Sequence, residues 1–375
     1  MKRSGAIPSQ IIQQFLESGH IRCQQPVPDG NLQPSSLDLR LGPVAHQVRA
    51  TFLPRRGESI EDALRLYQVG RLDLSQPTVL QRDCTYVVEL QERLHLPPEV
   101  HAYTNNKSTS GRTNIWVRAL VDGLPRFDRI PEGYAGKAYV MITPRSWSVR
   151  VQAGTTLNQA RFLIGDNRLM DLELDMHHQR VGLVYNAAGE RITPQLDRGI
   201  LLTADLSQDT IGYKARHTDQ VVDLTSTQPH LAEDFFEPVF AERGEVVLKR
   251  GEFYIMSTCE FLRVPPAYAV EMVAYDIHSG EFRSHYAGFF DPGFGYGQDG
   301  EVLGTPAVLE VDPHEDVIIR HGQPICKMVY EYLIKDPEKI YGVNLSSHYM
   351  HQRGPQLGRL FTQPQSQAAQ TVSAL

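Results

Sequence analysis

Glu92-Arg-Leu-His-Leu-Pro-Pro98 and Glu260-Phe-Leu-Arg-Val-Pro-Pro266 carry the same pattern, an acid, alternating apolar positions and a double proline, 168 positions apart (260 − 92). A second pair keeps that offset. Gly154-Thr-Thr-Leu-Asn-Gln-Ala-Arg-Phe162 and Gly322-Gln-Pro-Ile-Cys-Lys-Met-Val-Tyr330 are each a turn glycine leading into a strand that ends on an aromatic ring. Unrelated matches have no reason to share a spacing, so the two pairs imply a tandem duplication. A Gly-aromatic turn lies between the landmarks in each half, Gly133-Tyr-Ala-Gly136 and Gly293-Phe-Gly-Tyr-Gly297. The expected units are residues 1–190 and 191–362, followed by a Gln-rich stretch, 363–375, too polar to bury a core and expected to be disordered.

The local pattern is mainly β. Runs such as Tyr86-Val-Val-Glu-Leu90, Ala138-Tyr-Val-Met-Ile142, Ser148-Val-Arg-Val151, Glu245-Val-Val-Leu248, Ala307-Val-Leu-Glu-Val311 and Asp316-Val-Ile-Ile319 are β-branched or alternating. Gly, Pro, Asn and Asp turns separate them. That spacing predicts a β-barrel or sandwich in each half, with the double prolines ending strands at sheet edges. One short helix is expected at the start, where Ser9 caps a face made of Ile11, Ile12, Phe15 and Leu16. Residues 189–235 read as the join and an irregular entry to the second half.

With 375 residues the chain is long enough for two cores. A net charge of −7 argues against a partner that is a nucleic-acid polymer, since phosphate-backbone binding needs a basic surface. The four cysteines are widely spaced, with no Cys-x-x-Cys, which points to a reducing cytoplasm rather than to disulfides or a cysteine metal site. No apolar run reaches the length of a membrane span, so no membrane partner is expected.

Three stretches are candidates for chemistry. Asn105-Asn-Lys-Ser-Thr-Ser-Gly-Arg-Thr-Asn114 gathers Lys107, Ser108, Thr109, Ser110, Gly111 and Arg112. Two cations, hydroxyls and a glycine backbone in one loop suit an anion such as a polyphosphate, although a solvated turn has the same composition. Its counterpart, His278-Ser-Gly-Glu-Phe-Arg283, keeps Ser279 and Arg283 but adds Glu281 and reads as a weakened anion site. Glu310 stands in the middle of an apolar strand, where partial desolvation raises a carboxyl pKa and suits it to proton transfer. Met141 occupies the equivalent place in the first half. The plain alternative is an edge-strand charge facing water. Zinc deaminase chemistry requires His-x-Glu and Pro-Cys-x-x-Cys, and neither is present. Gly-x-Ser-x-Gly and dinucleotide-binding glycine motifs are missing as well.

These motifs, in this order, resemble the dCTP deaminase family, whose β-fold is that of the trimeric dUTPases. Gln33-Pro-Ser-Ser-Leu-Asp-Leu-Arg-Leu-Gly42 is similar to the family's opening strand, and Lys107-Ser-Thr-Ser-Gly-Arg112 to its Arg-Ser-Ser-Leu-Ala-Arg nucleotide loop. Arg129-Ile130 resembles the Arg-Ile ahead of the family's Asp-Pro-Gly turn, and Asp291-Pro-Gly-Phe294 resembles the turn itself. Val308-Leu309-Glu310 is similar to the strand bearing the catalytic glutamate. Tyr341, His348 and Gln352 keep the spacing of the Tyr, Lys and Gln in the C-terminal nucleotide-covering segment.

The resemblance implies two tandem dUTPase-like domains and hydrolysis of dCTP to dUTP and ammonia, with no catalytic metal or cofactor and with Mg2+ carried on the substrate triphosphate. It implies Glu310, Ser108, Arg112 and Arg129 as catalytic residues. It also implies Lys107, Thr109, Ser110, Gly111, Asp291, Val308, Leu309, Tyr341, His348 and Gln352 as substrate-binding ones. Single-domain members build their sites across subunits. The first half keeps the loop but has Met141, while the second keeps Glu310 but has Phe289 where the first has Arg129. A composite site from a first and a second half is therefore expected, in a homo-oligomer, with dTTP or dUTP as further possible ligands. A dUTPase-type pyrophosphatase, alone or combined with deamination, and a non-catalytic nucleotide-binding protein are the rival readings.

Overall fold

The computed structural model describes residues 4–274, 282–284, 288–343, 349–350 and 352–364, with the backbone only for 274 and 282–284. The repeated double proline folds into the same turn twice. The Val100 N–H donates to the Pro97 carbonyl at 3.0 Å, and the Tyr268 N–H donates to that of Pro265 at 3.0 Å. The strands then stay in step. Val100–Asn106 is matched by Tyr268–Ala274, and Thr156–Ile164 by Pro324–Tyr332, at the offset of the sequence landmarks. Even the pairing register repeats, with Ile164 opposite Val100 and Tyr332 opposite Tyr268.

The molecule is mainly β, in barrel-like sheets. A nine-stranded sheet gathers the first half, its central path running through the strands Val100–Asn106, Thr156–Ile164, Leu37–Val48, Thr85–Leu90, Ala138–Pro144 and Ile115–Val121. The second half divides mainly between a six-stranded sheet containing Tyr254–Leu262 and Thr305–Pro313 and a four-stranded sheet containing Tyr268–Ala274 and Pro324–Tyr332. Pleating decides what Thr305–Pro313 buries. Ala307, Leu309 and Val311 enter the second-half core, whereas Val308 packs into the cluster dominated by first-half side chains.

Three departures from the sequence reading have local causes. The first helix, Ser9–Glu17, begins one residue early: Pro8 is the cap and its carbonyl accepts the Ile11 and Ile12 N–H groups, so Ser9 lies inside the helix. Among the described residues, two further helices longer than a single turn interrupt the β pattern. Ile60–Tyr67 buries Ile60, Ala63 and Leu64, an i, i+3, i+4 face, and is capped by the Ser59 hydroxyl accepting from the Asp62 N–H at 3.0 Å. Asp171–Val181 buries only Leu174 and His178, one turn apart, so its apolar signal is weak. The stretch expected to be irregular contains the strands Ile200–Thr203, Gly212–Ala215 and Val222–Asp223.

The halves interlock. Val184–Tyr185, ahead of the expected join, pairs with Tyr254–Leu262, and Val222–Asp223 lies parallel on Val149–Val151 of the first half. Trp147 receives Phe235 and Phe236 edge-on, with ring centroids at 5.3 and 5.0 Å, and Phe361 closes the group 5.0 Å from Phe236. Phe361 thereby fixes the C-terminal segment to a core it shares with the first half. Phe361→Ala is expected to lower stability by about 3 kcal/mol, read as an earlier urea or thermal midpoint. The four cysteines are free. Among the described residues no helix is long and apolar enough to cross a membrane. Residues 278–281 of the weakened loop, His348, and residues 365–375 lie outside the described residues.

Candidate active site

The Val100–Asn106 strand of the first half runs into a single helical turn, Ser108–Gly111. Across from it stands Glu310, on the second-half strand Thr305–Pro313. Gly111 is where they touch: a Cβ built there would lie 3.2 Å from the Glu310 carboxyl carbon. Arg112, next in the chain, brings Nε to 3.8 Å from Glu310 Oε1, both side chains being buried. The first-half loop and the second-half acid thus meet within one chain.

Glu310 and Met141 occupy corresponding places. Met141 lies opposite Val87, and Glu310 lies opposite Ile255, the residue 168 positions after Val87. Their surroundings differ. Met141 packs in an apolar cluster with Ile60 and Leu64 of the helix absent from the sequence reading, so that position in the first half is filled by hydrocarbon. Glu310 instead faces a cavity of about 370 Å³ with a largely polar wall.

Lys107, Ser108, Thr109, Gly111 and Arg112 line this cavity from the first half. Asp291, Val308, Glu310, Tyr341 and Gln352 line it from the second. Burial pushes the Glu310 carboxyl up to about 7, and the nearby Arg112 guanidinium only partly opposes that rise. Arg112 is held in turn by the C-terminal segment: Nη1 donates to the Gln356 carbonyl at 2.8 Å, and the guanidinium lies 3.9 Å over the Tyr349 ring. Gln352 donates to the Pro306 carbonyl at 2.7 Å, joining that segment to the Glu310 strand. Asp291 accepts from the Ser35 hydroxyl at 2.8 Å, across the halves, and burial raises its pKa. The turn at Asp291 needs glycine at 293, where φ is 101° and a Cβ would lie 2.3 Å from the Ile340 side chain. This tight contact seats Tyr341, whose N–H donates to the Pro292 carbonyl at 2.9 Å.

Ser110, Leu309 and Arg129 do not line the cavity. The Ser110 hydroxyl donates to the Leu157 carbonyl at 2.7 Å and serves the loop's own fold. The Leu309 side chain points into the second-half core, as strand alternation requires once Val308 and Glu310 face the cavity. Arg129 is exposed on an edge strand beside Val100–Asn106, with its guanidinium 5.3 Å over the Tyr103 ring, and does not line the cavity. The Gly111 N–H donates to the Lys107 carbonyl at 2.9 Å inside the turn, so it is not turned to an anion as the loop composition suggested. Lys107 is also engaged, pairing with Asp38 and donating to the Thr156 hydroxyl at 2.8 Å.

Asp38, Asn106, Tyr349 and Arg359 line the cavity without having been singled out. Asp38 Oδ1 and Asn106 Oδ1 are buried without a hydrogen-bond partner among the described residues, so two acceptors are available to donors from a bound molecule. Asp38 lies within the Gln33–Gly42 strand that the sequence did mark. Its pairing with a cation 69 positions away left no local trace.

Two family models match the chain. The 2'-deoxycytidine 5'-triphosphate deaminase (DCD) N-terminal domain matches residues 3–166, and the C-terminal domain of the same family matches residues 170–361. The crystal structure of 2'-deoxycytidine 5'-triphosphate deaminase from Agrobacterium tumefaciens is similar over 92% of this chain and 100% of that one, with 40% sequence identity and a TM-score of 0.86. No curated protein matches. Two dUTPase-like β halves, both family models and a solved relative matched over its whole chain agree, and the chain belongs to the 2'-deoxycytidine 5'-triphosphate deaminase family, hydrolases acting on a carbon–nitrogen bond.

Proposed function

We propose that the chain hydrolyses dCTP to dUTP and ammonia in the cavity between its halves, with Glu310 as the proton carrier. The observation that carries this reading is a buried carboxyl on the cavity wall with a pKa of about 7, beside a buried guanidinium. Ionised Glu310 takes a proton from water as the oxygen bonds to C4 of the cytosine ring. The electron pair of the C4–N3 double bond moves to N3, which takes that proton from Glu310, and the carboxylate then carries the proton of the new hydroxyl to the amino group. The C4–N bond breaks, ammonia leaves, and the C4 oxygen becomes the carbonyl of dUTP. One acid suffices because it is poised to hold and release a proton at neutral pH.

Arg112 keeps Glu310 ionised often enough to act and supplies positive charge to the intermediate. Ser108 orients the water or the leaving amino group. Asp291 and the unpartnered Asp38 oxygen accept hydrogen bonds from the sugar or the base. Lys107, Thr109 and Arg359 face the phosphates, with Mg2+ carried on the triphosphate, and Tyr341 and Gln352 close the site. This assignment needs no residue from a second copy, and Arg129 has no role in it.

The test is product analysis: dCTP should yield ammonia and dUTP, while an unchanged nucleotide would sink the proposal. Asp38 and Asp291 on the same wall give the pyrophosphatase reading some support, and pyrophosphate with dUMP among the products would establish it. The pH dependence is also fixed. Because the base must be ionised in the free enzyme, kcat/KM should rise with pH and level off above an inflection near 7. A profile flat across neutral pH would remove Glu310 as the base.

A further inference from the structure

We propose that Asp205, Cys259 and His321 form a site for one zinc-like divalent transition-metal ion on the second half of the chain. The carboxylate, thiol and imidazole come from three backbone segments, and their ligand atoms lie within 4.8 Å of one another. His321 Nδ1 is 3.7 Å from Asp205 Oδ1 and 3.9 Å from Cys259 Sγ. Tetrahedral zinc with bonds of about 2.0–2.3 Å sets its ligand atoms about 3.3–3.6 Å apart, so closure needs shifts of only a few tenths of an ångström at these two edges.

The cluster is oriented before any ion arrives. Asp205 Oδ1 accepts from the Ser207 N–H at 2.9 Å and from its hydroxyl at 2.6 Å, and Oδ2 accepts from Gln208 at 3.1 Å. His321 Nδ1 accepts the Leu206 N–H at 3.1 Å, so its lone pair is turned inward. Binding exchanges that hydrogen bond for a coordinate bond. Asp205 is buried and His321 exposed, which gives the ion a way in and leaves a fourth position for water.

The duplication supplies an internal comparison. In the first half, Leu41 donates to the Thr155 carbonyl and accepts from the Gly154 N–H. In the second, Ala204 does the same with Gln323 and Gly322. The backbones therefore correspond, and the three positions are Gly42, Gln91 and Ala153 in the first half. Among the described residues, three ligand-type side chains converge only where the second half has diverged. Cys259 also falls where Tyr254–Leu262 slips register against the Glu310 strand, between Ser257 and Phe261, so the ion would fasten that irregular stretch to the Asp205 and His321 loops. Binding replaces the Cys259 thiol proton with the ion and releases that proton to water.

The experiment uses the full chain, stripped with a chelator and titrated with Zn2+ against a chromophoric competitor, with Co2+ as a spectroscopic probe. One equivalent should bind, Co2+ should show a thiolate charge-transfer band, and Zn2+ should raise the thermal midpoint. Cys259→Ser and His321→Ala should each weaken binding by more than about 100-fold, the upper end for residues that only orient ligands. No stoichiometric binding, no thiolate band in the wild-type protein, or undiminished affinity in both variants would each overturn the site.

Discussion

Glu310→Gln is expected to bind dCTP while turning it over about 10²–10⁴-fold more slowly, the range assigned to a positioned acid–base group. The amide keeps the shape of the side chain above Gly111 but cannot accept the water proton. Binding measured by calorimetry should therefore survive while ammonia release is lost. A glutamine variant with wild-type turnover would end the proposed mechanism.

The same change should alter stability in a pH-dependent way. The folded Glu310 pKa, about 7, lies above its ordinary value of 4.5. A raised acid binds its proton more tightly in the folded state, so its stabilising contribution is fully present below about 4.5 and is lost as pH rises through about 7. Above that, an ionised carboxylate is buried in a site that disfavours it. Glutamine carries no such charge. The variant should therefore be more stable than wild type at pH 8 by on the order of 2 kcal/mol, less whatever Arg112 loses with its counter-charge, and the gain should fade in acid. Urea midpoints at two pH values would show it.

Arg112→Ala should be nearly as damaging, with kcat/KM falling about 10²–10³-fold, the scale for removing one preorganised charge-stabilising donor. Arg112 is the group that pulls the Glu310 pKa down, so its loss should move the inflection of the pH profile upward. It also holds the Gln356 carbonyl and faces the Tyr349 ring, so the covering segment should loosen and KM rise. Arg112→Lys separates these effects, since a point charge can stay near Glu310 without forming the same fork. An unshifted pH profile in the alanine variant would mean that Arg112 acts only as a structural tether.

Much of this was legible because duplication writes geometry into spacing. Two landmarks with one offset announced paired strands whose register later repeats residue for residue, and Met141 was recognisable as the counterpart of Glu310. What escaped was whatever depends on partners distant in sequence. Asp38 needed Lys107, Arg112 needed Tyr349 and Gln356, and Asp205, Cys259 and His321 come from three separate backbone segments. A contiguous motif groups Leu309 with its neighbours, while a strand sends alternate side chains to opposite faces. The helix Ile60–Tyr67 was missed for its shortness, yet it is what packs hydrocarbon around Met141.

The loop from Lys107 and the acid at Glu310 come from different copies of the repeat, and this makes the pocket genetically addressable. In a ring of identical chains, one codon change rewrites every pocket at once, and each loop must serve the same acid. In a tandem chain, the codons for residues 107–112 and those for 278–283 mutate separately, so one loop can be selected for a new nucleobase while the other drifts or takes on other contacts. A directed-evolution library can therefore randomise either side of the pocket alone, and the resulting pocket will be uniform in every molecule.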